Sequence, residues 1–306
     1  MRNAFAKEIT KIAKKNKKII LLSGDIGNKL FDEFKKTNVK RFINCGVAES
    51  NMTTVAAGLA NIGFIPLTYT IASFNVYKTV EQIKLDICYQ NKPVIIVGVG
   101  SGLGYSNLGT THHSIEDIGV LNSLPNLNII CPADSNELVV LLRQIISSKK
   151  PTYLRLGKKN EPLIFKNRCT SKLGIPTTIR KGKKICIFGT GNILKNAINA
   201  SDILISKKIF PQIINIHSIK PINETFIKKT LKKFKKIIIV EEHVETGGLG
   251  EIIMKISGKY NVKNIFILHN AGDKYLNGIG NLKNARKKLN LDVDSIKYSI
   301  VKLSKI

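Results

Sequence analysis

Long apolar runs, paired cysteines and arginine are scarce in this 306-residue sequence. No uncharged apolar run approaches the roughly 18 residues that a membrane-spanning helix needs, so we expect no membrane association. The five cysteines are scattered without a Cys-x-x-Cys pair. That spacing argues against a disulfide framework or a zinc site and predicts reduced thiols in a cytoplasmic protein. Only seven of the 49 basic residues are arginine.

Positive charge is present in large excess, because 49 lysines and arginines stand against 21 acids and give a net charge of +28. Such a charge is typical of proteins that bind nucleic acid or membrane surfaces. The lysines, however, form short clusters along the chain, such as "KKNKK" and "KKTLKKFKK", with no aromatic stacking motif between them. We therefore attribute the charge to a lysine-rich composition and predict no specific nucleic-acid partner.

Two long sections, 1–160 and 184–306, alternate short apolar runs with segments of helical period, and a polar linker, 161–183, joins them. This alternation predicts two doubly wound α/β domains with parallel sheets, in which ligands bind at the carboxyl ends of the strands. The expected strands cover 18–23, 42–46, 65–69, 93–99, 127–132, 151–156, 184–190, 212–218, 235–242 and 262–268. The expected helices include 49–62, 74–90 and 134–148. Capping boxes are predicted for Asp134 with Glu137 and for Ser114 with Asp117.

Four stretches of the first section each follow a strand, so they are expected to meet at one edge of the sheet. They are "SGDIGNK", "GVAESNM", "YTIASFNVY" and "GVGSGLGYSNLGTTHHSIEDIG". Taken singly, each has a structural explanation; Glu49, for example, could simply complement a helix dipole. Taken together, they favour a binding site. In chain order they contribute Asp25, Glu49, Phe74 with Tyr77, and His112 with His113.

In this order the motifs resemble the transketolase family of thiamine diphosphate enzymes. "GDIG", "GVAESNM", "YTIASFNVYKTVEQIKLD", "THHSIED" and "PNLNIICPADSNEL" are similar to its pyrimidine-binding domain. "INIHSIKPIN" and "IIIVEEHVETGGLGE" are similar to its C-terminal domain. The resemblance covers nearly the whole chain and implies transfer of a two-carbon ketol unit between sugar phosphates or related sugars.

The resemblance implies roles at the cofactor for three residues. Glu49 would contact the pyrimidine nitrogen N1′ of thiamine diphosphate and share a proton with the ring. That exchange promotes the tautomer that deprotonates the thiazolium ring and so starts the carbon–carbon chemistry. Phe74 and Tyr77 would pack on the pyrimidine, because aromatic packing fixes its orientation at a low entropic cost.

The resemblance also implies roles at the substrate. His112 would face the donor hydroxyls and move protons near neutral pH, with His113 as its neighbour. Asp25 would lie near the substrate entrance. Arg155 and Lys158 follow the last strand of the first domain, where relatives bind a sugar phosphate.

Departures from the family pattern bear on the substrate and on a partner. Leu108-Gly109-Thr110 replaces the usual Asp-Gly-Pro, and Gly100 replaces a histidine, so donor specificity is open. The Gly-Asp-Gly…Asn pattern that holds the diphosphate and Mg²⁺ in the family is missing from this chain. The resemblance therefore implies a C-terminal subunit that works with a separate N-terminal subunit, in a two-plus-two complex.

Three alternatives stay open at the sequence level. Two are enzymes of related type, the beta subunit of a 2-oxoacid dehydrogenase and a deoxyxylulose-phosphate synthase relative. The motif "THHSIED" and the short, split length favour a transketolase over both. The third is a non-catalytic basic binding protein on the same fold.

Overall fold

The structure, a computed structural model, describes residues 1–27, 29–166 and 169–306. Asn28 of "SGDIGNK" and residues 167–168 of the predicted linker lie outside these ranges. The strands are β1 (Ile19–Ser23), β2 (Phe42–Asn44), β3 (Ile65–Ile71), β4 (Ile95–Val99), β5 (Asn128–Ile130), β6 (Thr152–Leu156), β7 (Thr177–Arg180), β8 (Ile185–Gly189), β9 (Gln212–Asn215), β10 (Ser218–Lys220), β11 (Lys236–Val240) and β12 (Ile265–His269).

Helices connect the strands and cover both sheets. The α-helices are α1 (Arg2–Lys15), α2 (Asp32–Lys35), α3 (Glu49–Asn61), α4 (Ala72–Tyr77), α5 (Val80–Gln82), α6 (Asp117–Asn122), α7 (Ser135–Ser148), α8 (Leu194–Ile203), α9 (Glu224–Lys233), α10 (Leu249–Lys259), α11 (Leu282–Lys288) and α12 (Val293–Lys305). Three 3₁₀ turns (Val39–Arg41, Thr110–His112, Ile205–Lys207) and a π-helical segment (Ile83–Tyr89) complete the elements. None of the helices in the described ranges combines the length and apolar character needed to cross a membrane.

The strands form two sheets, which confirms the predicted pair of α/β domains. The first sheet has seven strands in the order β10-β5-β6-β4-β3-β1-β2, and the second has five in the order β12-β11-β8-β9-β7. Both are parallel except at one edge, where β10 and β7 run antiparallel to their neighbours. β1, β3, β4 and β6 are buried along their whole length, as expected of central strands covered on both faces.

The predicted strand 212–218 is in fact divided between the two sheets. β9 ends at Asn215 in the second sheet, and the chain then crosses to the first, where β10 pairs with β5. The crossing is anchored by the buried carboxylate of Glu137, which accepts hydrogen bonds from Asn215 and lies 3.2 Å from Nδ1 of His217. The sequence pattern missed the division because isoleucines recur on both sides of it, from Ile213 to Ile219.

Two further local predictions can be compared with the structure. Asp134 caps α7 by accepting from the Glu137 N–H, as predicted. The capping box of Ser114 with Asp117 is wrong: α6 begins at Asp117, whose carboxylate instead pairs with Arg155. The predicted helix 74–90 is interrupted between α4 and α5 and ends in the π-helical segment.

The two domains share apolar packing. One cluster of buried side chains includes Ile118 and Leu121 of the first domain together with Ile227 and Leu249 of the second. Backbone hydrogen bonds also cross between the domains, from Cys131 to His217 and from Val244 to Ile115. The loops of the first domain are therefore held against the second domain, which limits their freedom at the carboxyl edge of the first sheet.

Candidate active site

Glu49 lies at the first position of α3, directly after the loop that follows β2. Its side chain is only 2% exposed, and its one hydrogen-bond partner among the described residues is Nζ of Lys78, 3.0 Å from Oε2. A buried carboxylate is costly unless it is paired or protonated, so a single, half-exposed lysine leaves this group incompletely satisfied. A carboxyl in this state is suited to exchange a proton with a bound ring nitrogen.

The Lys78–Glu49 pair gives the first testable prediction. Solvent screens the pair because Lys78 is 53% exposed, but Lys78→Met also leaves the 2% exposed Glu49 without its partner, so we expect the free energy of unfolding to fall by about 1–3 kcal/mol. Urea unfolding of Lys78→Met, Glu49→Gln and the double variant would measure the coupling, with Lys84→Met on the exposed surface as the control. Additive losses in the double variant would show that the two groups do not interact.

Phe74, His112, Tyr105 and Lys158 form a continuous row of contacts beside this pair. Nζ of Lys78 is 5.5 Å from the centroid of the Phe74 ring, and that ring meets the His112 ring edge-on at 5.1 Å. The His112 ring lies 6.1 Å from Tyr105, over which Nζ of Lys158 sits at 4.2 Å. The predicted cofactor and substrate residues Glu49, Phe74, His112 and Lys158 are thus brought to one region by β2, β3, β4 and β6.

His112 and Lys158 each have one further polar contact. Nδ1 of His112 is 2.9 Å from the hydroxyl of Thr111, so the opposite ring nitrogen is left for another partner. Lys158 donates to the side-chain oxygen of Asn107 at 2.7 Å. Burial and the neighbouring charge of Lys159 lower the pKa of Lys158 below its usual value.

Tyr77 is hydrogen-bonded to the loop that carries His112 and His113, rather than packed against Phe74. Its hydroxyl donates to the carboxylate of Glu116 at 2.5 Å, and the backbone N–H of Glu116 donates back to that hydroxyl at 3.3 Å. Burial raises the pKa of the Tyr77 hydroxyl, helped by Asp117 and Glu116, so this group keeps its proton. Stacking of Tyr77 on a pyrimidine stays a prediction.

Asp25 lies in the tight turn after β1, with a left-handed backbone conformation at φ 56°. Its exposed carboxylate accepts from the side-chain amide of Asn44, at the end of β2, at 3.0 Å. The same Asn44 side chain accepts from the Gly46 N–H, just before the loop that leads to Glu49. Asp25 therefore stabilises, through Asn44, the edge of the first sheet next to α3. A contact of Asp25 with substrate stays a prediction.

Arg155, predicted to bind a sugar phosphate, is buried behind the loop that carries His112 and His113. Its Nε pairs with Asp117 at 2.8 Å, and its Nη2 donates at 3.0 Å to the carbonyls of Ser114 and Glu242. Tyr153 also donates to Asp117, at 2.6 Å. These contacts connect β6 to the loop that carries His112 and to the second domain, and a contact of Arg155 with a sugar phosphate stays a prediction.

His113 points into the protein, unlike the half-buried His112. It is 3% exposed, and neither ring nitrogen has a hydrogen-bond partner among the described residues. Burial lowers the pKa of His113 from its usual 6.5, and His112 lowers it further, against the opposing effect of Glu116 and Glu242. The buried, neutral His113 is therefore a structural part of the loop.

The lowered pKa predicts that acid destabilises the fold through His113. The unfolded chain binds a proton more readily than the folded chain, so stability is full above the unfolded value of 6.5 and falls as the pH drops below it. We expect the melting temperature of His113→Phe to fall less than that of the parent between about pH 7 and pH 5. His269, whose pKa is also lowered by burial, accounts for part of the remaining loss, so His269→Phe is the matched variant. Equal slopes in all three proteins would contradict the prediction.

Three members of this region, Lys78, Tyr105 and Asn107, were not found by sequence reasoning. Lys78 follows the aromatic stretch directly, and its position one residue beyond Tyr77 on the turn after α4 brings it back to Glu49. Tyr105 and Asn107 lie in a glycine-rich loop without periodicity, so only the folded loop shows what they contact.

The residues fit the pyrimidine half of thiamine diphosphate. The fit rests on the incompletely satisfied Glu49 carboxylate, on the partly accessible Phe74 ring 5.5 Å from Nζ of Lys78, and on the buried hydroxyl of Ser73, which has no partner among the described residues. Within the described ranges, no group of three or more His, Cys, Asp or Glu side chains forms a metal site.

Comparisons with known proteins identify the family of both domains. Residues 1–162 match the family model described as transketolase, pyrimidine binding domain, and residues 177–275 match transketolase, C-terminal domain. One subunit of the apulose-4-phosphate transketolase of Phocaeicola vulgatus is 32% identical over 256 residues, covering 83% of this chain and 82% of that protein. The 1-deoxy-D-xylulose-5-phosphate synthase of Caldanaerobacter subterraneus is 30% identical over 98% of this chain, which corresponds to 48% of that protein.

A solved structure has the same fold over nearly its whole length. It is a split-gene transketolase, described as an inactive β4 tetramer, and it aligns with a TM-score of 0.87 at 26% identity over 99% of this chain and 97% of its own. The resemblance inferred from the sequence motifs is therefore confirmed for the family and for both domains. With its pyrimidine-binding and C-terminal domains, this chain belongs to the transketolase family.

Proposed function

We propose that this chain is the C-terminal subunit of a split, thiamine diphosphate-dependent transketolase. The observation that carries the proposal is the buried Glu49 carboxylate, whose one partner among the described residues, Lys78, has its Nζ 5.5 Å from the centroid of the Phe74 ring. Thiamine diphosphate, when bound, supplies the carbanion chemistry needed to move a two-carbon ketol unit.

In this proposal the role of each residue follows from its position. Glu49 holds the proton that is exchanged with the pyrimidine ring, and Phe74 fixes the ring's orientation. His112, in edge-on contact with Phe74, moves protons at the hydroxyls of the donor. Lys158, at the far end of the same row, provides positive charge for an anionic group of the substrate.

A partner subunit is the second part of the proposal. It would hold the diphosphate and Mg²⁺, and two copies of each subunit would form the complex. The similar split-gene transketolase, described as an inactive β4 tetramer, supports this division of labour. Such a partner could cover apolar side chains that are exposed in this chain. They lie on the turn before α3, on α3 and on the π-helical segment: Val47, Val55, Leu85 and Tyr89.

The substrate class is proposed from the relatives and from charge. Two similar proteins are named for apulose 4-phosphate and for 6-deoxy-6-sulfo-D-fructose, both of which carry an anionic group. Lys158 offers a cation at one end of the row, and its hydrogen bond goes to a neutral amide. We therefore propose a ketose donor with a terminal phosphate or sulfonate and an aldose acceptor.

The experiment is a transfer assay on the purified two-subunit complex with thiamine diphosphate and Mg²⁺. The donors are a panel of 2-ketose phosphates, each paired with an aldose phosphate as acceptor. The reaction should convert the aldose into a ketose that is two carbons longer, detected by mass spectrometry with a ¹³C-labelled donor. Formation of deoxyxylulose phosphate from pyruvate and glyceraldehyde 3-phosphate would favour the synthase alternative, which the similarity to 1-deoxy-D-xylulose-5-phosphate synthase supports. Oxidative decarboxylation of a 2-oxoacid would favour the dehydrogenase alternative.

A further inference from the structure

The loop between β4 and α6 carries His112 and packs on the core of the second domain. Leu103 and Ile115, near its two ends, are buried in one apolar cluster with side chains of β8, α8 and β11. Two backbone hydrogen bonds between Gly102 and Ser114, at 2.9 and 3.0 Å, close the loop at its base. The position of His112 therefore depends on the second domain as well as on the first sheet.

A loop of the second domain, between β12 and α11, meets the far end of the loop that carries His112. The Thr110 hydroxyl donates to the carbonyl of Leu276 at 3.0 Å, and the Gly280 N–H donates to the carbonyl of Ser106 at 3.0 Å. The Leu276 side chain packs against the same apolar cluster, and Asn281 caps α11 with its side chain. The carbonyl that accepts from Thr110 is therefore held in place by the second domain.

Close packing accompanies this hydrogen bond at Gly109. Gly109 directly precedes the 3₁₀ turn Thr110–His112 and has a left-handed backbone conformation at φ 81°, which favours glycine. A Cβ atom at this position would lie 3.2 Å from Cγ2 of Ile279, in the loop between β12 and α11. The start of the turn is therefore in direct contact with the second domain.

The turn connects this contact to the ring of His112. Thr110 is the first residue of the turn and His112 the last, and the His113 N–H donates to the carbonyl of Thr110 at 3.2 Å. The hydroxyl of Thr111 lies 2.9 Å from Nδ1 of His112, whose ring meets Phe74 edge-on. Because a 3₁₀ turn of three residues has few hydrogen bonds of its own, a shift of Thr110 is expected to move the ring.

We propose that the second domain positions His112 through the hydrogen bond from Thr110 to the Leu276 carbonyl, so that Thr110 is a positioning residue. The inference rests on the proposed function, in which His112 moves protons at the hydroxyls of the donor. Proline stands at this position in the family pattern and has no side-chain donor, so Thr110 supplies a link that the pattern lacks. A displacement of about 1 Å can slow an oriented reaction by roughly 10²-fold, so the loss of one such link is expected to affect turnover.

The first measurement uses the full chain without partner or cofactor. The sequence has five histidines, so ¹³C labelling of histidine Cε1 gives five NMR signals, and His112→Asn identifies the signal of His112. We expect Thr110→Val to shift this signal, because the His112 ring moves relative to the Phe74 ring, whereas Thr110→Ser should leave it at the parental position. The control is Thr230→Val, which removes a hydroxyl that donates to the Phe226 carbonyl within α9 and should not shift the signal.

The second measurement is turnover of the two-subunit complex. We expect Thr110→Val to lower kcat by about tenfold, part of the loss that a misplacement of about 1 Å can cause. The affinity for thiamine diphosphate should not change, since Glu49 and Phe74 keep their contacts. Thr110→Ser should restore most of the parental kcat, because its hydroxyl can still donate. Ile279→Ala, which loosens the contact with Gly109, should lower kcat in the same direction and by less than Thr110→Val.

Three outcomes would overturn the inference. They are an unchanged His112 signal in Thr110→Val, an unchanged kcat in that variant, and a loss of kcat that Thr110→Ser shares with it. If Thr110→Val does not fold, Ile279→Ala carries both measurements. A parent complex without transketolase activity would instead contradict the proposed function, while the His112 signal would still show whether the second domain positions His112.

Discussion

Glu49→Gln should lower kcat of the assembled enzyme by about 10²- to 10⁴-fold, the contribution typical of a positioned general acid–base group. Glutamine keeps the size of the side chain and can still contact a ring nitrogen, but it cannot exchange a proton there. The effect should therefore fall on kcat more than on the affinity for thiamine diphosphate. Steady-state kinetics of the complex, together with a cofactor titration, would measure both quantities.

The control for this substitution is Glu33→Gln, which removes a carboxylate from an exposed pair with Lys36. It should leave turnover unchanged, and both variants should show the circular dichroism of the parent. A Glu49→Gln complex that turns over at the parental rate would remove Glu49 from the proton exchange, even if the cofactor is bound.

Arg155→Met should lower the free energy of unfolding by about 3–5 kcal/mol, because it leaves a buried carboxylate without its cation. Asp117 is 0% exposed and, among the residues that the structure describes, would keep only the hydroxyl of Tyr153 and the N–H of Ile118. Two hydrogen bonds to the carbonyls of Ser114 and Glu242 would be lost as well. Urea unfolding of the parent and the variant would measure the difference.

Two companion variants separate structure from substrate binding at Arg155. Arg143→Met breaks a pair in which the arginine is half-exposed and should cost about 1 kcal/mol or less. Asp117→Asn combined with Arg155→Met should recover part of the stability, because no charge is left buried. A stable Arg155→Met enzyme with a raised KM for the phosphorylated donor would instead support the sugar-phosphate role implied by the family resemblance.

Much of the fold could be predicted from local sequence patterns. Continuous apolar runs predicted the central strands, since strands such as β4 and β6 are buried on both faces and must be apolar throughout. The division of 212–218 could not be predicted, because which sheet an apolar segment joins depends on distant partners. Here the partners are β5 and the Glu137 carboxylate.

The site was predictable to the extent that its residues follow strands. Glu49, Phe74 and His112 could be placed at one sheet edge, because the carboxyl ends of parallel strands meet there. The partners of these residues could not be predicted. Lys78 reaches Glu49 through a turn after α4, and Asp117, interpreted as a helix cap, is the buried counter-ion of Arg155. Which side chain pairs with a buried charge depends on proximity in the folded structure, and sequence spacing does not show that proximity.

The central claim is that Glu49 belongs to a cofactor site completed by a second subunit. The most direct test is affinity purification of the tagged chain from its own cells, followed by mass spectrometry for co-purifying protein and for thiamine diphosphate. We predict a second chain that carries the Gly-Asp-Gly…Asn motif, with thiamine diphosphate bound in the complex. A chain recovered alone, which takes up no cofactor when thiamine diphosphate and Mg²⁺ are added to the extract, would contradict the claim and favour a non-catalytic binding protein on this fold.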